Sequence, residues 1–186
     1  MGTLEVSPVR AMDGHRIKTL FQSALLWLRQ HQESVNALNV FPVPDGDTGT
    51  NMTLTMTSAW EEIAQIEEPH VGRLMGKAAH GALMGARGNS GVILSQIWRG
   101  FAYGVDGNPT LTPESLVEAM RVATETAYKG VVKPVEGTIL TVVREMAEET
   151  AQAAQETDDL VEIFQRIVER GQISVDRTPL LLPVLR

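Results

Sequence analysis

A chain of 186 residues is long enough for one domain with a substantial core. Its formal net charge of −7 disfavours nucleic acid and anionic membrane as partners, and the lack of cysteine excludes a disulfide framework, thiolate zinc ligands and a cysteine nucleophile. No run approaches the ~20 apolar residues of a membrane span and residues 1–10 lack a signal-peptide pattern, so no membrane insertion and a cytoplasmic location are expected.

Residues 1–12 read as an N-terminal arm, disordered or loosely docked. Asp13 is suited to cap a helix carrying Ile17, Leu20, Phe21, Ala24, Leu25 and Leu28 on one stripe. A shorter helix over 32–38 should turn Val35 and Leu38 inward and deliver Asn39 to a loop. The next helix spans about 48–66 and stops before Glu67-Glu68-Pro69. Another covers about 70–84, its Ala78, Ala79 and Ala82 small enough for close packing.

After a glycine-rich loop over 85–91, Val92, Ile93, Ile97 and Phe101 mark a helix that ends near 104–109. Thr112-Pro113-Glu114 is a strong start, with a threonine cap, proline at the first position and an acid in the first turn; Gly130 suits the stop. Gly137 or Thr138 opens a helix through Leu140, Val143 and Met146. Thr157 or Asp158 caps one through Leu160, Ile163, Phe164 and Ile167, and Asp176-Arg177-Thr178-Pro179 restarts another. No strand pattern survives, and short connections make neighbours antiparallel. The expected fold is all-α, with seven or eight helices.

The stretch Asn39-Val40-Phe41-Pro42-Val43-Pro44-Asp45-Gly46-Asp47-Thr48-Gly49-Thr50-Asn51-Met52 carries the chemistry. Two prolines stiffen the approach to Asp45. Asp45 and Asp47 flank a glycine, and like charges at that spacing suit a hard divalent cation with oxygen ligands. Thr48, Gly49, Thr50 and Asn51 are small or polar and precede a helix, so their amides can meet an anion at a positive helix start. A plain turn with an Asp47 or Thr48 cap is the rival reading. An EF-hand fails, since Thr50 stands where glycine is needed and Met56 where the bidentate glutamate belongs. A haloacid-dehalogenase motif reads D-x-D-G-T, not the D-G-D-T-G found here. The second glycine segment, Gly88-Asn89-Ser90-Gly91, also opens a helix, without the Gly-Lys-Ser or Gly-Lys-Thr of a Walker A loop. The four histidines show no ligand spacing, and the methionines recur at core-like positions.

Residues 39–52 resemble the signature of the nucleotide-binding domain of dihydroxyacetone kinases, and more closely that of the fatty acid kinase branch of the family. Gly85-Ala86-Arg87-Gly88-Asn89-Ser90-Gly91-Val92-Ile93-Leu94-Ser95-Gln96 and Lys133-Pro134-Val135-Glu136-Gly137-Thr138 follow in the same order, so the resemblance covers 13–186. It implies an up-and-down antiparallel helical barrel of about eight helices with the nucleotide at one end. It also implies two Mg²⁺ ions held by Asp45, Asp47 and Asn39, the last one residue out of register with an aspartate of other members. ATP phosphates would meet Thr48, Gly49, Thr50 and Asn51 together with Gly88, Asn89, Ser90 and Gly91. Gly130, Thr138 and Ile139 would line the nucleoside part, Arg177 would reach the nucleotide, and Arg87 is a candidate for the transferred phosphoryl group.

The family continues past Leu182-Pro183-Val184-Leu185 into a last helix and an Asp-x-Gly-Gly turn, whereas this chain stops at Arg186, so one wall of the site is expected to be missing. The expected activity is ATP-dependent phosphoryl transfer, with the carboxylate of a carrier-bound fatty acid as acceptor. The alternatives are the nucleotide-binding part of a dihydroxyacetone-type kinase and a non-catalytic nucleotide-binding module. The implied partners are ATP and a fatty-acid-binding carrier protein, docked through domains absent here, and the resemblance allows a homodimer.

Overall fold

The computed structural model describes residues 7–185. Seven helices follow one another: α1 (Gly14–Ala37), α2 (Thr48–Ile63), α3 (Val71–Met84), α4 (Gly88–Gly104), α5 (Pro113–Lys129), α6 (Ile139–Glu156) and α7 (Leu160–Leu181). A short 3₁₀ turn, Pro183–Leu185, comes after them, and the only strand-like pairing among the described residues is one bridge between Met12 and Leu111. Each helix packs on its sequence neighbours, and α2 also packs on α4. The fold is therefore the expected all-α, up-and-down antiparallel one. No helix among the described residues is long and apolar enough to cross a membrane.

The sequence determines most of these elements locally. Asp13 accepts the Arg16 N–H at the start of α1, and Thr112 and Ser115 form a reciprocal capping box at α5 behind Pro113. Several expectations need correction. The separate helix over 32–38 does not exist, because no glycine or proline interrupts residues 15–37 and α1 runs on as one helix. Leu38 is then exposed at its end rather than turned inward. The cap of α7 is Asp159, whose carboxylate accepts the Val161 N–H, not Thr157 or Asp158.

The restart at 176–179 is also absent, for α7 passes straight through Pro179. Proline has no N–H to give to the carbonyl of Val175, and the Thr178 hydroxyl donates to that carbonyl at 2.8 Å instead. Of the N-terminal arm, residues 1–6 lie outside the described residues. Residues 7–12 are docked: Val9 N–H donates to the Asp159 carboxylate, its carbonyl accepts from Leu160, and Met12 is buried.

One core joins Phe21 and Leu25 of α1, Met56 and Ile63 of α2, Leu74 and Met75 of α3, and Leu160 and Ile163 of α7. Met56 and Met75 fill it as expected, while Met84 is exposed. Close approach is achieved by small residues, most clearly between α4 and α5. A Cβ on Gly104 would stand 2.4 Å from the Cα of Ala119, and one on Gly100 would stand 2.6 Å from the Cα of Ala123. Gly76 in α3, by contrast, faces open space. Gly104→Ala should therefore destabilise by about 1–3 kcal/mol through overpacking, whereas Gly76→Ala should stabilise by about 0.5–1 kcal/mol through helix propensity. Chemical denaturation of the two variants checks both signs.

Candidate functional site

Even-numbered helices begin, and odd-numbered ones end, at one end of the molecule. There a cleft of about 880 Å³ opens between the ends of α1, α5 and α7 and the starts of α2, α4 and α6. Its size suits a small organic ligand.

Five helices start under a side-chain cap: α1 on Asp13, α3 on His70, α5 on Thr112, α6 on Thr138 and α7 on Asp159. The two exceptions, α2 and α4, both open into the cleft; they start after Asp47 and Arg87 with no side-chain cap bond. The N–H groups of Thr48 and Gly49 on α2, and of Gly88, Asn89 and Ser90 on α4, have no acceptor among the described residues. Two bare helix starts side by side concentrate partial positive charge and free donors, the requirement for binding an anion.

Packing brings the two starts together. Gly91 sits against Thr55 so closely that a Cβ would lie 2.4 Å from the hydroxyl oxygen, and Gly88, at φ +57°, would put a Cβ 2.2 Å from the Asn51 amide nitrogen. The Thr55 hydroxyl donates to the Asn51 carbonyl and accepts from Arg87 N–H, and the Ser90 hydroxyl donates to the Thr48 carbonyl at 3.3 Å. On the other flank, Gly49 meets the Gln32 carbonyl of α1, and Asn36 exchanges two hydrogen bonds of 3.0 Å with Thr50. Gly49, Thr50, Asn51 and Gly91 thus hold the helix starts in place without lining the cleft themselves. Asn36 and Thr55 were not among the expected site residues; the i, i+4 spacing of Asn51 and Thr55 was the one local signal for Thr55, and Asn36 had none.

Asp45, Asp47, Thr48, Gly88, Asn89 and Ser90 do line the cleft, as do Asn39, Gly130, Thr138 and Ile139. The loop over 39–47 contains a cis Phe41–Pro42 peptide bond, and Gly46 turns it at φ +67°. Asn39 braces it, its amide nitrogen donating to the Val43 carbonyl at 2.9 Å and its oxygen accepting the Asp47 N–H at 3.2 Å. Neither the Asp45 nor the Asp47 carboxylate has a hydrogen bond or ion pair with any described residue. Asp45 is exposed and Asp47 half-buried.

Among the described residues no group of three histidines or carboxylates could hold a metal by itself. Two unpartnered carboxylates are nonetheless what Mg²⁺ uses when a phosphate ligand and water complete its shell, so the donor set fits a nucleotide-bound ion rather than a preformed protein cage. Asn39 has committed its oxygen to Asp47, which makes it first a brace of this loop.

Two arginines do not reach the cleft. Arg177, half exposed on α7, lies 3.6 Å from buried Glu145 of α6, which also pairs with Arg170; its neighbours Val175 and Thr178 line the cleft and Arg177 does not. Arg87 faces a separate hollow beside Ser58, Glu61 and Glu62. The cleft also has an apolar lining, with Met52, Ile93, Leu140, Val142 and Leu182. His70, for which the sequence indicated no role, accepts the Arg73 N–H as the cap of α3.

The α5–α6 loop closes the cleft and is anchored by Glu136. Its carboxylate accepts from the Thr141 hydroxyl at 2.7 Å, the Tyr128 hydroxyl at 2.9 Å and the Arg144 guanidinium at 3.1 Å. The Thr141 hydroxyl foremost, then Tyr128 and Arg144, hold this carboxyl below its ordinary value of 4.5 against partial burial. A folded-state value below the unfolded one means that the contribution is complete above the unfolded range and is lost as pH falls through the folded value. Glu136→Gln should therefore lower the melting temperature at pH 7, and the gap to the parent should close as pH is taken below 4.5. A gap unchanged in acid would assign the loss to side-chain shape instead of charge.

The profile of the DAK2 domain matches residues 42–186. The chain is 46% identical over 178 residues to the uncharacterized protein SSP1546 of Staphylococcus saprophyticus, and 42% identical over 178 residues to Protein YloV of Bacillus subtilis. Each match covers 96% of this chain and 32% of the relative, so the chain spans about a third of the length of these relatives. The uncapped helix starts and the carboxylate loop thus lie within a matched domain, and the chain belongs to the DAK2 family of nucleotide-binding, kinase-type modules.

Proposed function

We propose that the cleft binds ATP with Mg²⁺ and presents the γ-phosphoryl group to an acceptor. The observation that carries this reading is the pair of uncapped helix starts, α2 and α4, facing one cleft beside two unpartnered carboxylates. Polyphosphate oxygens would accept from the free N–H groups of Thr48, Gly88, Asn89 and Ser90, while Asp45 and Asp47 hold the metal and the apolar wall takes the nucleoside. Bound there, the metal would neutralise charge that develops on the phosphoryl oxygens during transfer. In an acidic protein this is what lets carboxylates and phosphates share one site.

The acceptor in this reading is the carboxylate of a fatty acid on a carrier protein, with dihydroxyacetone as the alternative. Exposed apolar residues at the mouth, Leu38, Val43 and Val132 among them, support a partner that brings the acceptor to the cleft. Incubation with labelled ATP and either a carrier-bound fatty acid or dihydroxyacetone distinguishes the two. Label on neither would leave a nucleotide-binding module without turnover.

Calorimetry of ATP with and without Mg²⁺ tests the core of the reading. Binding should require the metal, and Mg²⁺ alone should bind weakly, because the protein supplies only two carboxylates. Asp45→Ala and Asp47→Ala should each abolish Mg²⁺-dependent ATP binding and leave the melting temperature within a degree or so, since neither carboxylate has a partner to lose. Parent-like affinity in both variants would remove the metal assignment. Ser90→Leu should weaken ATP far more than it lowers stability, because a branched side chain would fill the phosphate end of the cleft. Undiminished affinity there would return residues 88–91 to an ordinary interhelical turn.

A further inference from the structure

We propose that Lys133 is the full positive charge that the cleft offers to the terminal phosphate of its ligand, held in reach by the Glu136 hub. The inference rests on the nucleotide-binding reading and adds a residue to it. Of the three cations that the sequence places in or near the candidate motifs, Arg87 faces another hollow and Arg177 is paired with Glu145. Among the described residues, Lys133 alone of the lysines, arginines and histidines lines the cleft, and its ammonium has no hydrogen bond or ion pair with any of them.

The charges around it explain why it is needed. Asp45 and Asp47 bring two negative charges to the cleft, and each helix start returns only about half an elementary charge. An ammonium on a four-carbon stem is a compact charge with three donors, suited to phosphate oxygens whose position shifts as a bond breaks.

Lys133 also sits where its backbone is fixed on both sides. Upstream, the loop leaves α5 at Gly130, with Val131 N–H donating to the Tyr128 carbonyl. Downstream, Pro134 restricts φ, the Thr138 hydroxyl donates to the Val135 carbonyl at 2.8 Å, and Gly137 N–H donates to Thr141 at 2.8 Å. Glu136 ties the whole loop to Tyr128 of α5 and to Thr141 and Arg144 of α6. A lysine on such a base has a mobile head and an anchored root.

The test compares Mg·ATP, Mg·ADP and AMP binding to the parent, Lys133→Ala and Lys133→Arg, beside thermal melts. Lys133→Ala should weaken ATP by about tenfold or more, as expected for loss of a charge-assisted hydrogen bond. The loss should be smaller for ADP and slight for AMP, with an unchanged melting temperature and most of the ATP affinity restored in Lys133→Arg. Equal losses for all three nucleotides would make Lys133 part of the wall rather than a phosphate ligand, and no loss would make it a solvated loop lysine; either overturns the inference while the nucleotide reading stands. A parent that binds none of the three overturns both.

Discussion

The first turns of α2 and α4 lie against each other because two side chains are missing between them. Gly88 leaves room for Asn51 and Gly91 leaves room for Thr55, so two helix axes approach until their free N–H groups serve one space. The floor of the cleft takes its position from that contact. The carboxylate loop enters α2 at Asp47, and the apolar wall is built from the residues that follow, Met52 on α2 and Ile93 on α4. Leaving two helix ends bare in one place is unfavourable for the folded chain alone. Side-chain caps on the other five helices show that the sequence supplies caps readily elsewhere. A local departure from an otherwise consistent pattern is where function is expected.

Electrostatics divide the cleft into an acidic loop, a positive floor and an apolar side. Asp45 and Asp47 form no ion pair with any described residue, although the molecule is rich in ion pairs on α5, α6 and α7. Arg144, Arg166 and Arg170 are all paired with glutamates, so the positive charge of those helices is consumed within the fold. Arg177 belongs to the same set and does not line the cleft. The charge left for a ligand is therefore small and localised.

Much of this was legible in the sequence where the cause is local. Thr112-Pro113 announces a helix start because the cap and the fixed φ act within one turn, and Gly88-Asn89-Ser90-Gly91 announces another because small and polar residues there precede an apolar helical stripe. The loop before α2 was legible because two prolines stiffen its approach and Gly46 allows its turn. What escaped depends on contacts between segments far apart. The run of α7 through Pro179 depends on the Thr178 hydroxyl replacing an N–H, which no propensity scale registers. Asn36 is ordinary in sequence and becomes a site residue only because α1 delivers it to Thr50. The direction of Arg177 is decided by Glu145, thirty-two positions away in the chain.

Asn39 gives the carboxylate loop a history independent of any ligand. With both ends of its amide bound, at Val43 and Asp47, it closes the loop into a ring that stands without any ligand. Ordering a loose segment costs about 1–2 kcal/mol for each residue fixed, and here that entropy has already been surrendered during folding. In the Mg·ATP reading proposed above, the ligand would therefore meet a surface already ordered, and its release would require no segment to unravel.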